Sequence, residues 1–385
     1  MTVDTTSSPL GETRQPLTWV EGDLQLRELC NHWLTLPWLA VDTEFMRTDT
    51  FYPQPALIQV NDGTANYLLD PVALRDLSPL AEVLRTPQVQ KVLHACSEDL
   101  EVFHRLLGCL PENLLDTQIA AAFCGYGFSL GYANLVNAVL GVQLPKDETR
   151  SNWLQRPLTE AQQRYAALDV EYLHQLTLVL KRQLAELGRE AWVVEESGQL
   201  CTAFIEGQKI ANASQRFKGA WRLNQRQLAV LMELAAWRDT TAQAENRVRG
   251  HIVRDNSLYA IAELLPSHVS QLRKVPEMPE KIIRRYGEGI IDMVRLVQAL
   301  PEADLPPCLP RPPGTAQQNL INRMREQLAE VGRDVKIAPE ILARRKDLEY
   351  IIRARQGGAS SDALFPASFD GWRAGIVKPC LRKVL

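Results

Sequence analysis

The chain has 385 residues, of which 45% are hydrophobic and 23% charged, with a net charge of -3. At roughly 150 residues per domain that length predicts two or three domains, and the composition excludes a small single module, a fibrous chain and a mostly disordered one. Seven cysteines (30, 96, 109, 124, 201, 308 and 380) are odd in number and scattered, with no CxxC pair. They therefore predict neither a disulfide framework nor a cysteine zinc site, and fit reduced thiols in a cytoplasmic protein.

The opening MTVDTTSSPLGETRQ has no basic n-region and no apolar core, so it reads as a polar, flexible tail over 1–15 rather than a secretory signal. WLAVDTEF (38–45), ALIQV (56–60), ANYLLD (65–70) and KVLHA (91–95) read as short strands separated by turn residues such as Asp62-Gly63. His94 thus falls in a strand, as a structural residue. A helical pattern follows from Ser97, taken as N-cap, to Leu107, with Gly108 as its stop. Between Asp116 and Lys146 no residue is charged, a length sufficient for a bilayer. Gly125, Gly127, Gly131 and Gly141 break it, and two short amphipathic helices joined by a glycine turn are predicted instead, with no membrane partner.

From Thr159 a long helix opens on a capping box with Gln162 and carries a stripe of Leu168, Leu173, Leu176 and Leu180. Strands followed by helices over the first 200 residues predict a mixed sheet packed with helices. Residues 224–300 read as four or five short helices. PEADLPPCLPRPPG (301–314), with six prolines, is a semi-rigid linker. A helical pattern over Gln317–Val331 then opens a small third domain. The predicted class is α/β followed by two small all-α domains, with boundaries 16–215, 216–300 and 315–385.

Charge is distributed unevenly. Residues 1–200 hold 14 Lys and Arg against 26 Asp and Glu, a net of -12; residues 201–385 hold 29 against 20, a net of +9. An acidic half that gathers cations and a basic half that holds a polyanion account for this, and two ordinary solvated surfaces account for it equally.

Asp42 and Glu44 lie two apart on a predicted strand, so their carboxylates share a face. Two charges on an apolar strand cost several kcal/mol unless a cation or partner compensates. Asp99 lies one turn into the helix after KVLHA. Asp169 lies mid-helix in YAALDV among apolar neighbours, with Tyr165 one turn earlier on the same face. No His/Cys set accompanies these acids, and an all-oxygen shell suits Mg²⁺ or Mn²⁺ rather than Zn²⁺.

The order D-x-E, then an Asp after HACSE, then Y-x-x-x-D resembles the tyrosine-type DEDD 3′→5′ exonucleases, and within them the ribonuclease D family. The likeness runs through VDTEF with Arg47, Tyr52 and PALIQV; KVLHACSEDLEVF; DTQIAAAF; SLGYANLVNAVLG with Lys146; SNWLQRPL; and YAALDVEYL. It implies a ribonuclease-H-like sheet domain, metal ligands at Asp42, Glu44, Asp99 and Asp169, and Tyr165 as the residue that positions the attacking water. Position 164 is Arg, which rejects the histidine-type subgroup. Two divalent cations would serve a phosphodiester hydrolysis releasing nucleoside 5′-monophosphates. Residues 221–300, with Trp237–Arg238 and N-R-V-R, resemble an HRDC module, and 315–385 have the place and size of a second.

Phe45 and Trp153 are candidates to stack on terminal bases, with core packing as the competing role. Gln59 and Gln118 could touch a nucleotide or be buried amides. Arg247, Arg249 and Arg254 around one turn, and Lys281, Arg284 and Arg285 on one helix face, are candidate phosphate contacts. The resemblance implies RNA as partner, in particular transfer-RNA precursors and other small structured RNAs, and no protein partner is indicated. A DNA-directed exonuclease and a non-catalytic nucleic-acid-binding scaffold are the alternatives.

Overall fold

The computed structural model describes residues 11–145, 148, 151–208, 217–361 and 363–385. The chain divides into two compact units: residues up to 46, 55–202 and 313–385 form the first, and 47–54 with 203–312 form the second. Lys146 of the SLGYANLV block lies outside the described residues, as does the tail up to residue 10.

In the first unit, β1 (Leu17–Val20), β2 (Trp38–Met46), β3 (Gln54–Asn61), β4 (Asn66–Leu69), β5 (Gln90–Leu93) and β6 (Leu114–Asp116) form one sheet in the order β1-β4-β3-β2-β5-β6. β1 runs parallel to β4, and β5 parallel to both β2 and β6, while β3 and β4 are antiparallel. The mixed sheet is the one expected. β1 and β6 have no alternating pattern of their own, being only four and three residues long, and the sequence alone did not reveal them.

Helices α1 (Asp23–Trp33), α2 (Ser78–Arg85), α3 (Ser97–Leu107), α4 (Thr117–Phe123), α5 (Tyr132–Leu140), α6 (Glu160–Leu187) and α7 (Glu190–Gly207) complete this part. α4 and α5, with glycines between them, are the two short helices predicted for the uncharged stretch. Among the described residues no helix is long and apolar enough to cross a membrane. α6 opens on the predicted capping box, Thr159 with Gln162, and ends at Gly188 in the left-handed region (φ 63°). Its leucine stripe is buried, and Leu173, Leu176 and Leu180 join Ala40 of β2 and Val92 of β5 in one core.

Three local expectations are corrected. Ser97 is the first helical residue, and the cap position is Cys96 with no side-chain bond, because the Asp116 carboxylate already holds the preceding turn. β5 ends at Leu93, so His94 lies in that turn rather than in a strand. Gly11–Gln15 is also tied down, by Gly11 N–H on Gln143 O (2.7 Å) and Arg14 N–H on the Glu171 carboxylate (3.0 Å).

The C-terminal helices α12 (Thr315–Val335), α13 (Pro339–Leu342), α14 (Arg345–Gln356) and α15 (Val377–Arg382) share the first unit's core. Trp372 stacks on Trp192 (5.1 Å between rings) and meets Phe123 edge-on. Arg373 forms a buried ion pair with Glu196 (2.8 Å) and donates to Ile341 O and Leu342 O. Arg189 donates to Phe123 O (2.6 Å) and Val335 O.

The second unit holds α8 (Gln225–Ala244), α9 (Arg249–Ile252), α10 (Asp255–Leu264) and α11 (Glu280–Gln298). Two of these are long rather than short, because the prolines at 266, 276 and 279 fall between α10 and α11 and leave both α8 and α11 unbroken. Phe51, from the β2–β3 connection, is buried in this unit's core. The Arg249 guanidinium lies 4.5 Å over the Phe51 ring, and Asp49 O accepts from Val248 N.

Candidate active site

β2 is an interior strand, and alternation puts Asp42 and Glu44 on the face of Ala40, which packs beneath α6. From above, α6 brings Asp169 to them. One carboxylate oxygen from each of Asp42, Glu44 and Asp169 lies within 4.8 Å of the others. Asp99, in the first turn of α3, lines the same cavity of about 400 Å³, together with Tyr165, Phe45 and Tyr132. The four acids and the tyrosine, spread over 128 positions of sequence, meet at one pocket.

The turn that aims Asp99 is built by Asp116. Its carboxylate accepts from the N–H groups of Ala95 (3.1 Å) and Cys96 (3.0 Å), and also caps α4 through Gln118 N–H (2.7 Å). It fixes Ala95 at φ 54°, a left-handed conformation that a non-glycine residue adopts only when its surroundings dictate it. The Thr43 hydroxyl, between the two β2 acids, donates to the Asp99 carboxylate. Tyr132 donates its hydroxyl to the backbone oxygen of Asp169. Thr43, Asp116 and Tyr132 escaped the sequence reading. Asp116 carried a usable signal, an Asp directly before the helical TQIAAAF, whereas the other two act through contacts no local pattern encodes.

Burial raises all four carboxyls, and repulsion from neighbouring acids adds to it at Asp42, Glu44 and Asp99. Asp42 is pushed up by burial and then by Asp169, and Asp99 by burial and then by Asp42. Glu44 rises to about 10 through burial and the charges of Asp42, Asp169 and Asp99. Asp169 rises to about 8 through burial, against a hydrogen bond from Tyr165 that favours its charged form. Burial and Asp169 raise the Tyr165 hydroxyl well above its ordinary value, so it stays protonated at neutral pH. This is a concentration of acids with no cationic side chain among the described lining residues. An oxygen-only set so arranged fits hard divalent cations.

Phe45 lines the cavity, as a base-stacking residue would. Trp153 does not: it is 2% exposed, packed with Leu57, Leu68 and Ala166, with its ring 6.0 Å from Tyr165. The core-packing alternative holds for it, and it buttresses Tyr165 from behind. Gln59 is fully buried in β3, an interior amide, whereas Gln118 is half-buried and donates to Leu130 O. His94 lines the cavity, its Nδ1 3.0 Å from the Thr117 hydroxyl.

In the second unit most of the candidate cations are already engaged. Arg249 pairs with Asp239 (2.9 Å), Arg247 and Arg285 with Glu245 (3.3 and 2.8 Å), and Arg254 with Glu277 (3.5 Å). Lys281 and Arg284 are exposed on α11 and have no ion pair among the described residues.

A 3′-5′ exonuclease family profile matches residues 17–185, and an HRDC domain profile matches 227–294. The chain is similar to ribonuclease D of Pseudomonas paraeruginosa, 43% identical over 94% of this chain and 95% of the relative. It is also similar to ribonuclease D of Escherichia coli, 36% identical over 94% and 96%. Among solved structures, that of E. coli RNase D, described as an exoribonuclease involved in structured RNA processing, matches with a TM-score of 0.88 and 34% identity over 97% of this chain and 99% of the other. The catalytic core of RRP6 from Trypanosoma brucei shares the fold, with a TM-score of 0.56 and 24% identity.

Proposed function

The chain belongs to the ribonuclease D family of 3′→5′ exoribonucleases, and on that premise we propose that Asp42, Glu44, Asp99 and Asp169 hold two divalent cations and that Tyr165 orients the attacking water. As a hydrolase of this family it acts on RNA and uses divalent metal. The single observation that carries the assignment of residues is the convergence of four acids, none with a cationic partner among the described residues, on one cavity.

Bound there, a pair of cations would activate water and offset charge on the attacked phosphate. The chain's own part is positional. Thr43 and Tyr132 hold Asp99 and the Asp169 turn of α6 in register, and the protonated Tyr165 hydroxyl donates to Asp169 and faces the cavity. Because that hydroxyl keeps its proton near neutral pH, it serves as a donor that orients rather than as the base. Phe45, on the cavity wall, presents its ring to the terminal base.

The finer substrate we propose is the 3′ end of transfer-RNA precursors and other small structured RNAs, released as nucleoside 5′-monophosphates. Lys281 and Arg284 supply phosphate contacts, joined by Arg247, Arg249, Arg254 and Arg285 where RNA displaces their acidic partners. We further propose a division into an exonuclease domain over 16–215, an HRDC domain over 216–300 and a helical module over 315–385. With Mg²⁺ or Mn²⁺, 3′-extended precursor RNA should shorten stepwise to 5′-monophosphates, a chelator should stop it, and Asp42→Ala should lose at least a thousandfold in rate while still binding RNA. Wild-type turnover by Asp42→Ala would rule the site out.

A further inference from the structure

A cavity of about 600 Å³ in the first unit lies away from the carboxylates. One wall is Phe128, from the connection between α4 and α5; the others come from α12, α13 and the start of α14. Its floor is apolar, with Leu328 and Leu348 almost fully buried. Three arginines line it, Arg325, Arg344 and Arg345, against two acids, Glu326 and Glu340. Arg345 is committed to Glu349 (2.8 Å). Arg325 and Arg344 are exposed and carry no ion pair among the described residues.

Phe128 is 51% exposed. Such a ring, held out on a connection, has no role in the core. The backbone around it takes positive φ at Gly125 (89°), Gly127 (104°) and Ser129 (54°), which fixes its direction. Three residues on, Gly131 and Tyr132 line a separate cavity of about 310 Å³ shared with Tyr165 and Asp169. Fully extended, three residues span only about 10 Å. One short connection therefore touches both the catalytic acids and this second cavity. The helices that form its other walls belong to a segment, 315–385, with 13 Lys and Arg against 8 Asp and Glu, in contrast to the acidic first 200 residues.

We propose that this cavity is a second contact for the RNA strand, in which a base upstream of the 3′ end stacks on Phe128 while neighbouring phosphates meet Arg325 and Arg344. An aromatic face beside free guanidinium groups is the combination that holds single-stranded nucleic acid without reading its sequence. The inference rests on the reading of the chain as an RNA exonuclease and adds to it the route by which the strand is held outside the acidic pocket.

The test compares affinity and cleavage for a long single-stranded oligoribonucleotide and for one just long enough to fill the catalytic cavity, using the full chain with metal. Phe128→Ala should weaken binding of the long RNA by about tenfold, within the range for loss of one stacked base. Arg344→Gln and Arg325→Gln should each lower the slope of log affinity against log salt by about 0.7, the share of one phosphate on a single strand. All three should cleave the short RNA at the wild-type rate. Wild-type affinity and salt slope for the long RNA in all three variants would overturn the proposal, and would be the outcome if the cavity serves an apolar peptide instead. Failure of the wild-type chain to cleave either RNA would instead strike the exonuclease reading itself, so the two failures are distinguishable.

Discussion

Replacing Asp169 by Asn removes one titratable group from the carboxyl cluster while keeping its shape and an acceptor for Tyr165. In the metal-free chain the Asp169 carboxyl sits at about 8 instead of 3.8, chiefly through burial. At pH 7 the folded chain therefore holds a proton there that the unfolded chain has released. The gap of about 3 pH units is worth about 4 kcal/mol at 1.36 kcal/mol per unit, and screening by water in the open cavity leaves about 2 kcal/mol. The sign follows from proton counting. Between the unfolded value near 4 and the folded value near 8, the folded state binds more protons, so its stability falls as pH rises through that window. Asparagine does not titrate. In chelator, Asp169→Asn should thus be more stable than wild type by about 2 kcal/mol at pH 7, with the advantage shrinking towards pH 4. Excess Mg²⁺ should stabilise the wild type and do much less for the variant, which remains inactive. Denaturant unfolding at pH 5 and pH 7, each with chelator and with metal, measures every term. A variant no more stable than wild type at pH 7 in chelator would refute the reasoning that charge is crowded here at the expense of the fold.

Arg373→Met leaves Glu196 as a buried unpaired acid and strips Ile341 O and Leu342 O of a donor, which should cost about 3–5 kcal/mol in urea unfolding; a loss under about 1 kcal/mol would mean the pair does not hold the C-terminal helices. Trp153→Phe should slow single-turnover cleavage by loosening Tyr165 while leaving the affinity for a short RNA unchanged, and a loss of affinity at an unchanged rate would restore Trp153 as a base-stacking residue.

How much of this was legible in the sequence depends on the range of the interaction involved. The long helix over 160–187 was readable because its capping box and its leucine stripe are local and agree with each other. The pairing of Asp42 with Glu44 followed from strand alternation alone. That Asp99 and Asp169 join them came from family resemblance, since nothing local says that the start of α3 and the middle of α6 share a cavity with β2. Short strands such as β6 exist because neighbours supply their hydrogen bonds, so their three residues carry no periodicity. Trp153 shows the limit most plainly. Its type and its place in SNWLQRPL fit a ring stacked on RNA, and only the packing of Leu57, Leu68 and Ala166 around it reveals that it faces inward.

The charge pattern acquires a physical reason once the site is built. A cavity lined by Asp42, Glu44, Asp99, Asp169 and Glu98, with no basic side chain among its described lining residues, offers a polyanion no favourable charge until cations occupy it. Attraction for RNA must then come from elsewhere on the chain, and the sequence places it late: residues 201–385 carry +9. Some of the cations in that half are engaged internally, by Glu245, Asp239 and Glu277 in the second unit, acids already subtracted in that figure, and by Glu196 in the first. Lys281 and Arg284 on α11 and Arg325 and Arg344 beside Phe128, which carry no ion pair among the described residues, are positions where an acid should cost affinity without costing stability.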